Sequence, residues 1–248
     1  MEGPVLGSGP GVLLTGVSAQ SAISGPEATG VRAGSTIARG PMSSIPMFPL
    51  GMVLLPGGVL PLHVFEPRYR QMVIDLLESD EPPEFGQVLI TRGVETGGDD
   101  ERADVGTIAR IVDMEAVPGG RYALMTVGTR RFRVTEWLDD DPYPRADVEE
   151  LPEEGPFPDD LAARVRVAHE RVREIIGLAA QAGDVAATTA DAEISEEPTA
   201  ATYHLATLAP VGDADRHRLL AAPGPIERLA VLDSVLDDVE AMLRFRLS

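Results

Sequence analysis

The chain has 248 residues, a formal charge of −19, 21 basic side chains that are all arginine, and no cysteine. Without lysine there is no Walker A phosphate loop, no Ser-Lys dyad and no pyridoxal Schiff base. Without cysteine there is no thiolate nucleophile, no disulfide and no Cys-ligated zinc. The acidic excess repels phosphate backbones over a Debye length of about 8–10 Å, and no stretch reaches the roughly 18 apolar residues of a membrane span. Nucleic acid and membrane are therefore not expected partners, and a reducing, cytoplasmic setting fits the absence of cysteine. At 44% hydrophobic residues the chain can bury a sizeable core.

Residues 1–41 hold nine glycines and no hydrophobic period. Their apolar stretch from Gly11 to Val17 is short and glycine-broken, and the only early charge is Glu2, which argues against a signal peptide. The expectation over 1–44 is a disordered tail, with Met42 as a candidate translation start.

Residues 45–151 read as short strands. Met52 to Leu55 and Leu60 to Phe65 are apolar runs separated by the turn signal Pro56-Gly57-Gly58, and Pro61 marks an edge or distorted strand. A helix follows: Pro67 suits a first helical position, and Tyr69, Met72, Val73, Leu76 and Leu77 recur on one face to about Ser79. Phe85 to Ile90 is a further strand, and Val105 to Val117 and Tyr122 to Val127 flank the hairpin signal Pro118-Gly119-Gly120. Arg131 to Val134 predicts a strand with Phe132 inward and the arginines outward, and Ala146 to Glu149 closes the set. Such a series predicts a small β-barrel.

Residues 152–158 are acidic and proline-rich and read as a linker. The segment 159–248 reads as a helical bundle. Leu161, Val165, Ala168, Val172 and Ile176 mark a long helix with Asp159 or Asp160 as N-cap. A loop is expected over 183–197, with shorter helices from Pro198 to Leu208 and Asp213 to Ala221. The last helix, from about Pro225, carries Leu229, Leu232, Leu236, Val239 and Leu243 along one seam, which packs inside the bundle or against another subunit.

Several residues have both a structural and a functional reading. Met47, Phe48 and Met52 cluster at the barrel start, as core or as an adaptable groove for unfolded chain. Arg68 pairs with Glu66 or another acid, or faces a ligand. Arg130, Arg131 and Arg133 around Phe132 suit either RNA or a half-buried strand. His63, His169, His204 and His217 form no zinc-hydrolase motif, and no Gly-x-Ser-x-Gly nucleophile elbow is present. No catalytic residue, metal ligand or cofactor is expected.

Taken together, the blocks from Pro46 to Leu50, Leu54 to Gly58, Leu60 to Tyr69 (Leu-Pro-Leu-His-Val-Phe-Glu-Pro-Arg-Tyr), Phe85-Gly86, Val105 to Ala109 and Gly128 to Val134 resemble the N-terminal, substrate-binding domain of Lon proteases in the same order. Asp213-x-Asp215-Arg216, Leu219-Leu220 and Arg228-Leu229 fit the helical half of that family. The resemblance implies an α+β fold, a PUA-like β-barrel with one inserted helix followed by a C-terminal helical bundle. It also implies a region that contacts protein substrates. With the missing lysine this gives the expectation of a non-catalytic module that binds exposed apolar polypeptide segments, for which the residue readings above offer Met47, Phe48, Met52 and Arg68 as candidate contacts. The host's own Lon protease or its substrates are further expected partners. Because the chain ends at Ser248, directly after the bundle, the ATPase and protease domains are expected to be absent. The competing readings are an uncharacterised hydrolase, or a binder of RNA or a small ligand in the barrel cleft.

Overall fold

Phe132 sets the size of the barrel. Its ring is fully buried with Met47, Val88, Ile108, Ala146 and Val148. A Cβ on Gly106 would lie 2.5 Å from the ring and 2.3 Å from the Gln87 carbonyl, and one on Gly86 would lie 2.5 Å from Met47 Sδ. Only glycine lets these strands close around an aromatic residue. The Phe-Gly and Val-Gly-Thr blocks of the sequence are thus packing requirements.

The computed structural model describes residues 42–93, 101–184 and 192–248. Residues 1–41 of the tail expected over 1–44 and the loop residues 185–191 lie outside the described residues, and the expectation is corrected at 42–44, which open the first strand. Six strands form one mixed sheet: β1 (Met42–Leu50), β2 (Val59–Val64), β3 (Glu84–Arg92), β4 (Glu101–Val117), β5 (Arg121–Trp137) and β6 (Arg145–Glu150). The strand order is β2-β5-β4-β3-β1-β6, and β5 also pairs with β6, so five strands close into the expected barrel and β2 is left outside. Only β1 and β3 run parallel. Helix α1 (Pro67–Glu78) follows β2, with Pro67 in its first turn. Tyr69, Met72 and Val73 pack it onto Leu60, Leu62, Val64, Phe85 and Leu124 in a second core.

Two strand expectations are corrected. Met52 to Leu55 is irregular chain, and the ladder lies before it in β1. The backbone there bonds to side chains instead: Leu54 N–H donates to Gln87 Oε1 at 2.9 Å, Gln87 Nε2 donates to the Met52 carbonyl at 2.6 Å, and Thr107 Oγ1 donates to the Leu54 carbonyl at 2.6 Å. The run from Arg131 to Val134 is the second half of β5, not a separate strand, and Arg131 points into the interface with the helices rather than outward.

The helical half contains α2 (Leu161–Gln181), α3 (Pro198–Leu208), α4 (Asp213–Ala221) and α5 (Pro225–Leu247). Glu197 caps α3 by accepting from the Thr199 and Ala200 N–H groups, whereas Asp160, at the start of α2, pairs with Arg164 instead of capping. Leu232, Leu236 and Leu243 of the α5 seam are buried within this chain's own bundle, with Leu229 and Val239 packed against the same core. The seam is therefore intramolecular.

Barrel and helices share this core, because Leu55 and Val105 are buried in it and Val53 and Leu151 pack against it. Val53 N–H donates to Asp213 Oδ1 at 3.1 Å and His217 Nε2 lies 3.2 Å from the Val105 carbonyl. His204 Nδ1 accepts the Ser195 N–H at 3.0 Å, and burial holds its pKa below the usual value, which keeps the neutral ring that can accept.

A buried charge node fastens the two halves. Arg131 of β5 is 2% exposed and Arg228 of α5 is 0% exposed. Both guanidinium groups bond Glu153, Arg131 at 3.0 Å and Arg228 at 2.9 Å. Arg131 also donates to the carbonyls of Leu220, Ala222, Pro152 and Pro223, and Arg228 to the Leu219 carbonyl and the Thr202 and Tyr203 hydroxyls. The Tyr203 hydroxyl donates to Glu153, and its ring lies 3.6 Å under the Arg228 guanidinium. Burial pulls the Arg131 pKa down, against its charge, and pushes that of Tyr203 up, which keeps the phenol neutral and able to donate to the carboxylate. Removing that carboxylate leaves two buried cations without a counter-ion. Glu153→Ala should lower the free energy of unfolding by about 3–5 kcal/mol in urea titrations. A loss below about 1 kcal/mol would show that the node does not hold the halves together.

Candidate polypeptide-binding surface

An apolar surface able to hold a polypeptide has to be exposed, and this requirement divides the residues named from sequence. Met47 is 0% exposed inside the barrel, and Phe48 is buried with its ring stacked 4.0 Å from Tyr69. Neither presents surface in this arrangement. Met52 is half-buried, and Gln87 binds its carbonyl. Arg68 is half-buried, bonded to Glu66 Oε2 at 3.1 Å, 3.9 Å from Asp140 and 4.6 Å above the Tyr69 ring. Phe48, Tyr69, Arg68 and Glu66 thus form one cluster around the start of α1, with Arg68 engaged by acids. Among the three arginines around Phe132, Arg131 is buried in the node and Arg130 bonds Glu84 at 2.9 Å, which leaves Arg133 exposed.

The exposed apolar residues lie elsewhere. Along β2 every second residue is buried: Leu60, Leu62 and Val64 face the α1 core. The intervening Val59, Pro61 and His63 face solvent, and Phe65 continues the row past the strand end. Val59 is 58% exposed and Phe65 is 59% exposed. Met125, on the partner strand opposite Pro61, and Val112 on β4 extend the apolar area across the sheet. This row was missed in the sequence reading. Its signal was present, because both parities of the run from Val59 to Phe65 are largely apolar although Pro61 marks an edge, where one face ordinarily turns polar.

A second apolar opening, a cleft of about 410 Å³, lies between the α3–α4 connection and the end of α5, lined by Leu208, Pro210, Val211, Val239 and Met242. The charged groups beside it are paired, Arg216 with Asp213 and Asp184 with Arg246.

Among the described residues no Ser or Thr hydroxyl bonds a histidine, and no group of three or more His, Asp or Glu side chains could hold a metal ion. No helix among them is long and apolar enough to cross a membrane.

Residues 44–238 match the family model of the ATP-dependent protease La (LON) substrate-binding domain. The chain belongs to this family. Among relatives, Lon protease 2 of Sorangium cellulosum is 33% identical over 54% of this chain, and Lon protease of Bacillus thuringiensis is 24% identical over 80% of it. The matches span 17% and 25% of the length of those proteins. The Lon N-terminal domain protein of Xanthomonas campestris superposes with a TM-score of 0.56 at 27% identity, covering 78% of this chain and 98% of that one. The N-terminal domain of the Mycobacterium avium complex Lon protease has the same fold, with a TM-score of 0.56 at 19% identity over 79% of this chain. The α+β architecture expected from the Lon-like blocks is therefore the architecture found.

Core and surface residues should respond differently to truncation. Met47→Ala removes a fully buried side chain and should cost about 2–5 kcal/mol. Phe65→Ala should stay within about 0.5 kcal/mol of the parent in the same urea titration. A large loss for Phe65→Ala would mean that this ring is structural.

Proposed function

We propose that this protein is a non-catalytic module that binds exposed apolar segments of other polypeptides. The observation that carries the reading is the solvent-facing row Val59, Pro61, His63 and Phe65 on a strand with one partner among the described residues, in a chain of the Lon substrate-binding family. A monomeric surface usually scatters its exposed apolar residues singly, whereas a contiguous patch marks an interaction site. The absence of lysine supports the non-catalytic part, since neither a Walker A loop nor a Ser-Lys dyad can be built from this sequence. RNA binding draws less support, because Arg131 and Arg130 are committed to Glu153 and Glu84 and the formal charge is −19. The protein acts in the cytoplasm as an adaptor, a holder of unfolded chains or a competitor of the host's Lon protease for shared substrates. Met52 and Arg68 would contribute at the margin of the surface and Phe48 by supporting β2 from beneath, whereas Met47 packs in the separate core around Phe132 and would act only through the barrel.

The test is association of the purified protein with a reduced, carboxymethylated and fluorescently labelled test protein, followed by anisotropy, with ATP present and absent. Binding with a micromolar Kd, about −8 kcal/mol, and an intact labelled chain after prolonged incubation are expected. ATP-dependent fragmentation of the label, or no association at high micromolar concentration, would contradict the proposal.

A further inference from the structure

We infer that the partner segment is captured as an extra strand on the free edge of β2, through its backbone as well as its side chains. This rests on the polypeptide-binding reading above and names its place and mode. In the β2–β5 ladder Val59 pairs with Val127 and Val64 with Tyr122. Gly128, just beyond the ladder, donates its N–H to the Gly58 carbonyl at 2.9 Å, and its own carbonyl accepts from Gly57 at 2.8 Å. Backbone direction alternates along an antiparallel strand, so Leu60, Leu62 and Val64 direct their N–H and C=O groups at β5. The Thr126 hydroxyl, donating to the Leu60 carbonyl at 2.8 Å, agrees with that phase. Val59, Pro61 and His63 then direct theirs at the other side, where β2 has no strand partner among the described residues. Among the described residues no backbone hydrogen bond to these three comes from that side.

The open edge offers three carbonyls, from Val59, Pro61 and His63, and two N–H groups, from Val59 and His63. Pro61 has no N–H to leave unpaired, and its tolerance here follows from this phase. An extended segment laid alongside would pair with these five groups, and its side chains on one face would join the row of Val59, Pro61, His63 and Met125. Strand addition is a known mode of peptide capture, in which backbone bonds supply affinity and alternate side chains supply preference.

The occupant is an extended segment of a different polypeptide, apolar on one face and carrying basic residues. A second copy of this chain fits poorly. A two-fold pairing of β2 with β2 centred on Pro61 would set two prolines opposite each other, leaving both Pro61 carbonyls without donors. Two chains of formal charge −19 also repel. Asp113 and Glu115, exposed on the outward face of β4 across from Met125 and Ala123, make no ion pair among the described residues and add to the negative potential on this face. A basic segment answers that charge.

The experiment uses the full chain and a labelled peptide of alternating valine with threonine and arginine, in three forms: unmethylated, N-methylated at every valine, and N-methylated at every intervening residue. N-methylation removes ladder donors on one edge of the peptide only. The unmethylated peptide should bind, and one methylated phase should weaken by about tenfold or more relative to the other. Val59→Pro with His63→Pro, which deletes both edge donors without touching the bonds to β5, should weaken the unmethylated peptide similarly. A thermal melt of this variant checks that it folds. Binding that treats the two phases alike overturns strand addition, and does so alone if the unfolded test protein still associates. Failure of both the peptide and the unfolded protein to bind removes this inference together with the function it rests on. Self-association in sedimentation that is abolished by the double variant would assign the edge to a second copy and overturn the chosen occupant.

Discussion

The Glu153 carboxylate, shared by Arg131 from the barrel and Arg228 from the last helix, is the constraint on which the rest of the structure depends. Two cations buried against one anion would be unstable if the carboxylate were their only partner. Further donors bond the Leu219, Leu220, Ala222 and Pro223 carbonyls at and beyond the end of α4, where the helix dipole is negative and cations are favoured, while Arg131 Nε is buried with no hydrogen-bond partner among the described residues. Tyr203 and Thr202 bring α3 into the same node. The barrel, the segment after β6 and three of the helices therefore meet at one point, and Val53 on Asp213 and the burial of Leu55 and Val105 extend the joint.

A fixed joint matters because the exposed strand lies in the other half. The long strand β5 serves three neighbours: β2 over Tyr122 to Val127, β4 along most of its length, and β6 over Phe132 to Trp137. Its second half is committed to closing the barrel and, through Arg131, to the helices. Its first half carries β2 as an appendage whose inner residues are held by the α1 core. Among the described residues, barrel closure thus uses every strand except one, and leaves that strand with an open edge beside an apolar row. The strand that the architecture cannot pair is the one best suited to accept a segment from outside.

Much of this was legible in the sequence. Pro61 indicated an edge strand because proline lacks the donor that an interior ladder needs, and β2 is the end strand of the sheet. Local signals also gave the helices: Pro67 and Pro198 at their starts, and the seam of α5. Failures came where tertiary contacts overrode local pattern. Arg131 beside Phe132 follows strand alternation, which assigns opposite faces but does not say that the opposite face is covered by helices. Glu153 lies in an acidic, proline-rich stretch whose composition suits a linker, and only the three-dimensional node distinguishes it from its neighbours. Met52 to Leu55 has strand composition, but its backbone is held by Gln87 and Thr107. Those two polar side chains inside apolar strands were the overlooked sign that something other than a ladder was being bound there. Of the candidate contacts, Met47 and Phe48 were legible as apolar, but their depth depended on how closely Gly86 and Gly106 let the strands approach.

The central claim is that a rigid barrel and bundle present the β2 edge to polypeptide. It is tested most directly by residue-resolved amide hydrogen exchange of the full chain, with and without a saturating unfolded protein. The Val59 and His63 amides, which face the open edge, should exchange rapidly alone and slow markedly in the complex, while amides at the buried Arg131–Glu153–Arg228 node stay unchanged. Protection confined to the α5 cleft, with Val59 and His63 still exchanging freely, would contradict the account.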